Sequence, residues 1–385
     1  MFDVIEKFTQ YFTWDKTDLD NWVWKLYSKA SVAICMLAAA LCICSTYFGS
    51  PIDCYGVEDP FITQYCWVHG SYHFALSQQH LVEYIHNRIG QNCIPDTYYD
   101  QNMKERPTTQ YYQWVIFMLF AHGILFLLPD KIWKFLEGGL VDDFVPFKED
   151  HKQKAQRFLG LSNNQNRVYF TSFLGCEVLN FIVGIANFWV MDRFLDGKFA
   201  TYGTDVIAYF FDSEVILNPM CSAFPTLVSC EYYTGGVSLG SLDVKNHVCM
   251  LSQNIINEKI YLILWFWILM LFGASMLMLA YRCGTIVVPS VRESELLYRA
   301  RKGRSDKIRE LRDYISLPQW FILCQIGRNS KSRDFNQFLH QLAKLKNENR
   351  EPSQIQNEPR SNNVELQDYR TLASTQPLLE NGHLA

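Results

Sequence analysis

Cysteine is the residue whose spacing carries most chemistry in this chain. Twelve cysteines occur in 385 residues. Six of them, Cys54, Cys66, Cys93, Cys221, Cys230 and Cys249, fall in two polar segments, three to each. In an oxidising compartment an even set of this kind forms disulfides, although spacing alone admits many connectivities. The equal split favours bridges between the two segments over bridges within one, each stabilising by about 2–5 kcal/mol. No Cys-x-x-Cys pair occurs, which argues against a zinc ribbon or a redox motif. His69, His73, His80 and His86 share the first segment, but "HGSYH" contains glycine and the ligand set is incomplete. Ordinary polar surface is therefore their reading, and no metal is expected. Glu177 is the one carboxylate well inside an apolar run, and Asn180 and Asn187 lie near its helix face. A polar contact between helices is the expectation there. The chain has no phosphate-binding glycine loop, no paired metal motif, and no nucleophile with a base at recognisable spacing. It reads as a non-enzyme without catalytic residues or cofactor, and nothing in it suggests nucleic acid as a partner.

The elements that position these residues are apolar runs long enough to cross a bilayer, which takes about 20 residues. Four windows qualify: 29–49, 111–129, 168–191 and 260–281. The mean hydropathy of −0.06 conceals them because long polar segments dilute the average. In the second window Tyr111, Tyr112 and Trp114 stand at the mouth of the apolar run, and Pro129, Asp130 and Lys131 end it. Rings with apolar bodies and polar tips settle at headgroup level, so these three are expected as interface anchors. The first window begins too late and is too long for a cleaved leader.

Lys and Arg set the orientation. Of 35, four precede the first run, seven lie in Lys131–Arg167 and seventeen follow the fourth run. The two long connecting segments share the remaining seven. Both termini and the middle loop are thus expected inside the cell, with the cysteine-bearing segments outside. The expected fold is an all-α membrane protein, with four transmembrane helices, disulfide-linked extracellular loops and a helical cytoplasmic region. Its divisions are an N-terminal helix (1–28), the four spans, outer loops 50–110 and 192–259, and an inner loop 130–167. A helical cytoplasmic region (282–347) and a disordered tail (348–385) follow.

Four stretches carry a resemblance. "TQYYQWV" stands at the second span; "YFGSPIDCYG" with "QYCWVHGSY" lies in the first outer loop. "NPMCSAFPTLVSC" and "CMLSQNIINEKIYLILWFW" run into the fourth span, and "LPQWFILCQIGRN" follows it. Together they resemble the innexins, gap-junction proteins of invertebrates, over about residues 15–345. The resemblance implies a large-pore channel of several subunits, eight around the axis, made of this chain alone or mixed with other innexins. It would lie in the plasma membrane at gap junctions and dock through its outer loops with a hemichannel on the adjacent cell. By analogy the bridges are nested, Cys54 to Cys249 and Cys66 to Cys230. Cys93 and Cys221 are additional to the family's two cysteines per loop; a third bridge between them and separate thiols both remain open. Ile116 stands where the family usually has proline, so the second span is expected to run straighter. Tyr55 replaces the family's tryptophan.

Two features bear on conduction. Met1, Ile5, Phe8 and Phe12 recur at helical spacing, giving a short amphipathic helix. By resemblance it lines the pore mouth; the alternative is a helix on the inner membrane surface. Ser31, Cys35, Ala38, Cys42, Ser45 and Gly49 form a stripe of small residues on one face of the first span. Such a stripe serves close helix packing or borders a wide pore. No Asn-x-Ser/Thr acceptor occurs, and the absence of outer glycans favours docking over an undocked release channel. A non-conducting junctional adhesion protein is the third possibility. Inside, "KEDHKQKAQRFLG", "ESELLYRARKGRSDKIRELRDYI" and "SRDFNQFLHQLAKL" carry helical periodicity. The basic cluster Arg299–Arg304 is either solvated helix charge or a contact to anionic membrane lipids.

Overall fold

The computed structural model describes residues 17–69, 71–72, 108–109, 111–145, 150–211, 218–235, 242–300, 311 and 315–348. Met1, Ile5, Phe8 and Phe12, His73, His80, His86, Cys93 and the tail from 349 lie outside the described residues.

Four helices are long and apolar enough to cross a membrane: α1 Trp22–Phe48, α3 Val115–Glu137, α6 Asn163–Phe194 and α9 Ser252–Val287. Each outruns its apolar window because a helix needs backbone partners, not hydrocarbon, to continue, and packed protein supports its ends. α1 already begins at Trp22, so residues 22–28 belong to the first span rather than to a separate N-terminal helix. Asn21 caps it, its side-chain oxygen accepting from Trp24 N at 2.8 Å. The helix widens to a π turn over Leu26–Ser31, where the Ser31 hydroxyl donates to the Leu26 carbonyl at 2.9 Å. α3 runs through Pro129 and ends at Glu137, followed by Gly138 and Gly139 with φ of 64° and 83°. That left-handed pair, open to glycine without strain, stops the helix where Pro129 does not. α6 starts on a capping box, Ser162 with Gln165.

Shorter helices complete the chain: α2 Pro60–His69, α4 Leu140–Phe144, α5 His151–Gly160, α7 Phe199–Phe211 and α8 Pro219–Ala223. Beyond α9 come α10 Pro289–Arg299, α11 Leu317–Asn329 and α12 Ser332–Glu348. Of the three stretches marked by periodicity, the first holds α5 and the third lies within α12, while the second overlaps α10 only at 293–299, its residues 301–310 and 312–314 lying outside the described residues. α5 packs on α12, with the Phe158 and Phe338 rings edge to face at 6.0 Å. Their apolar stripes share one core with Trp24, Trp133 and Phe173 at the ends of the spans, so the inner helices and the bundle are continuous.

The helical description omitted one element. Both outer loops contribute to a five-stranded antiparallel sheet ordered β1-β5-β4-β2-β3. β1 is Asp53–Cys54, β2 Ser71–Tyr72, β3 Thr108–Thr109, β4 Leu227–Gly235 and β5 Leu242–Met250. β4 and β5 pair along their length, from Leu227 opposite Met250 to Gly235 opposite Leu242. The first loop adds to both sides of this hairpin, Cys54 opposite Cys249 and Tyr72 opposite Ser229.

Candidate functional site: a bridged outer head on a four-helix bundle

Strand pairing brings the outer cysteines together. Cys54 is bonded to Cys249 and Cys66, on α2, to Cys230. Both bridges join the two loops, and all four residues are buried with Ile52, Val228 and Leu251 in a small core of their own. Cys221 is also disulfide-bonded, to a residue outside those described. The sulfurs of Cys54, Cys66 and Cys249 lie within 4.8 Å of one another, a spacing suited to a metal. Oxidised sulfur has no thiolate to offer one, however, so the cluster is two adjacent bridges rather than a metal centre. His69 stacks on Tyr65 at 4.2 Å.

The aromatic group at the head of α3 is used differently from the expectation. Tyr112 is 2% exposed; its ring lies 4.6 Å from that of Trp67 and its hydroxyl donates to the Trp67 carbonyl at 3.2 Å. The Tyr111 hydroxyl donates to the Ala223 carbonyl at 2.9 Å, and its ring meets Phe194 and Phe224 edge to face. Gln113 donates to the Trp67 carbonyl. Tyr111 and Tyr112 are thus not headgroup anchors: a buried hydroxyl needs a partner, and both outer loops supply one. They fasten the head to the second span. Trp114 is 60% exposed.

The stripe on α1 is a packing seam. Ser31, Cys35 and Cys42 are fully buried and Ala38 nearly so, Ser45 is half-buried, and Gly49, just past the helix end, is exposed. A Cβ added at Gly123 of α3 would stand 3.7 Å from Cys35 Cβ, which shows how closely the helices approach. The Ser31 hydroxyl accepts from Trp267 Nε1 at 2.8 Å, tying α1 to α9. Side chains enclosed within one protomer do not border an aqueous pore, so the pore-lining alternative fails for Ser31, Cys35, Ala38 and Cys42. Nor are the Cys35 and Cys42 thiols open to water-borne reagents, whereas Cys44 and Cys283 are exposed.

Several polar groups inside the bundle are paired across helices, although Asn180 Nδ2, on the face expected to join Glu177, has no partner among the described residues. Arg282 Nη2 and Nε donate to Glu177 Oε1 and Oε2 at 2.6 and 2.8 Å, and Asn21 Nδ2 donates to Oε1 at 2.8 Å. The N-cap of α1, the middle of α6 and the C-terminal part of α9 meet at this one carboxylate. The guanidinium also lies over the rings of Phe173 and Phe321, at 5.2 and 5.3 Å. Asn187 does not join Glu177; its amide oxygen pairs with His122 Nδ1 of α3 at 2.7 Å. The Tyr27 hydroxyl meets Ser275 Oγ at 3.0 Å. Sequence reasoning missed Arg282, Asn21 and His122. A lone buried carboxylate calls for a cation, and Arg282 is the first one after the fourth apolar run.

Asp20, just before α1, is 4% exposed. Burial and the neighbouring Asp130 carboxylate push its pKa up to about 7, against the pull of Lys134. In the outer half, Gly203 of α7 lies flat against Trp265. A Cβ there would come within 2.1 Å of the indole, which is fixed by its Nε1 donating to the Ala200 carbonyl at 3.2 Å.

Comparison with known proteins agrees with this architecture. The innexin family model matches residues 20–345. The chain is 32% identical over 359 residues to "Innexin inx2" of Schistocerca americana, covering 89% of this chain and 98% of that one. It is 31% identical to "Innexin inx2" of Drosophila melanogaster, covering 89% and 96%, and 30% identical to "Innexin inx3" of the same fly, covering 88% of each. Four spanning helices, an outer head bridged between two loops and a match over most of the sequence lead to one conclusion: the chain belongs to the innexin family, the gap-junction channel subunits of invertebrates.

Proposed function

We propose that this subunit assembles into a ring of eight, from this chain alone or with other innexins, and that the ring docks head to head with one on the adjacent cell. Both termini and the inner helical domain face the cytoplasm. One observation carries the docking: the bridged head exposes large side chains that a monomer in water would hide. Tyr55 is 87% exposed, and Phe61, Val68, Tyr233 and Val244 are all more than half exposed. Rigid, apolar and held by disulfides, such a crown suits burial against another protein. Below it Leu37, Phe117, Ile124 and Ile263 project from the spans, offering apolar faces to neighbouring subunits and lipid tails. The segment carrying Met1, Ile5, Phe8 and Phe12 lines the pore mouth, a role that the seam on α1 cannot take. The asymmetry of Lys and Arg supports the orientation.

Imaging the detergent-purified oligomer along its axis tests the assembly. Eightfold views, and paired rings at high concentration, are expected; a ring of another order or a monomer would reject it.

A further inference from the structure

Where α1, α9, α10 and α11 come together at the inner end of the bundle, the surface opens into a cleft. One part, of about 520 Å³, is lined by Trp22, Leu277 and Met278 on an apolar side and by Arg299, Gln325 and Arg328 on a polar side. A second part, of about 640 Å³, shares Arg299 and Arg328 and continues to Ser330, Lys331 and Ser332, where α12 begins. Arg282 borders the first part, but its guanidinium is already bonded to Glu177.

Two other polar atoms in the cleft are unsatisfied. Among the described residues, Gln325, 6% exposed, has no donor to its Oε1, and the buried Arg299 Nε has no acceptor. A native fold rarely leaves such groups empty, since a buried polar atom stripped of water and given no partner is destabilising. One lacks a donor and its neighbour lacks an acceptor. A phosphate ester next to a hydroxyl would satisfy both.

Charge points the same way. Arg299 is paired with Glu295 at 3.2 Å, and Arg328 shares Asp18 with Lys25 at 2.8 and 2.7 Å. Lys331 adds a further cation in the second part, which no carboxylate lines among the described residues. The first backbone N–H groups of α12, a helix of 17 residues, have no partner within the helix and present its positive end, with Asp334 the only acid in that turn. The apolar side decides the kind of anion. Trp22, at the start of α1, and Leu277, near the end of the fourth apolar run, are 54% and 69% exposed, where an acyl chain would run.

We propose that this cleft holds the phosphate-bearing headgroup of an anionic inner-leaflet phospholipid, with its acyl chain along Trp22 and Leu277. Arg299, Arg328 and Lys331 neutralise the phosphate, and Gln325 accepts from a headgroup hydroxyl. The proposal rests on the cytoplasmic placement of the inner domain, but lipid binding to purified protein is read separately from current or subunit number.

The test is thermal stabilisation of the full-length protein in detergent, titrated with dioctanoyl phosphatidylinositol bisphosphate. Dioctanoyl phosphatidylcholine and inorganic phosphate serve as the comparison probes. A saturable rise in the unfolding midpoint is expected with the first probe only. Lys331→Gln, an exposed change that leaves packing intact, should weaken the affinity about fivefold, and Arg299→Gln by at least as much. An equal rise with phosphatidylcholine, or with phosphate alone, would overturn the assignment of an anionic lipid. Unchanged affinity in both variants would overturn the site.

Discussion

The clamp at Glu177 makes the sharpest energetic prediction. Its side chain is 2% exposed and that of Arg282 7%, so the pair has little water to fall back on. Glu177→Leu would strand the guanidinium between Phe173 and Phe321 and leave the Asn21 amide without its acceptor. Breaking a buried pair by removing one partner costs about 3–5 kcal/mol, whereas replacing both with apolar groups of similar volume is often neutral or better. Arg282→Met should cost somewhat less than Glu177→Leu, because Asn21 still donates to the remaining carboxylate. Joined in one chain, the two substitutions should recover most of the loss, giving a coupling of roughly 3 kcal/mol. The assay is the apparent unfolding midpoint of the solubilised oligomer, followed by size exclusion at one heating rate because unfolding is irreversible. Each single variant should fall by roughly 5–10 °C, the double by much less. If the two losses simply add, the side chains act independently and the clamp does not exist.

Three further outcomes follow from the geometry. Cys66→Ser should lower the stability of the outer head by about 2–5 kcal/mol and abolish docking while leaving the spans inserted, read by limited proteolysis of intact cells alongside junctional coupling. Gly203→Ala forces a methyl into the Trp265 indole and should cost about 1–3 kcal/mol, seen as a lower midpoint; an unchanged midpoint would mean that the ring moves freely. Asp20 keeps its proton in the folded state up to about pH 7 but in the unfolded chain only to near its ordinary 3.8. Between these values the folded state binds the extra proton, so stability falls as pH rises through the window and is lowest above it. The wild type should therefore melt lower at about pH 8 than at about pH 6, by on the order of 1 kcal/mol, and Asp20→Asn should flatten the difference.

Much of the architecture was legible because a bilayer makes composition decisive. Residues such as "IYLILWFWILMLFGASMLMLAY" can do little but cross it. Helix ends were less legible, since α9 extends beyond its apolar window to Ser252 and Val287. Tyr111 and Tyr112 show the limit of a composition argument. An interfacial ring and a ring clamped between loops have the same side chain, and only the partner carbonyls of Ala223 and Trp67 separate them. The sheet was invisible for a related reason. β1, β2 and β3 are two residues each, too short for any alternating pattern, and exist only because the β4–β5 hairpin offers edges. The small-residue stripe could be recognised as a face, but which neighbour it met required coordinates.

Current between cells tests the central claim most directly. The protein would be expressed in paired cells otherwise lacking junctional channels, with junctional conductance and single-cell membrane current recorded together. Conductance between the cells, abolished by Cys66→Ser, is the result expected of a docked channel with a bridged head. Silence between the cells, with the protein present at their contact, would contradict a self-docking channel; single-cell current in that case would identify an undocked release channel.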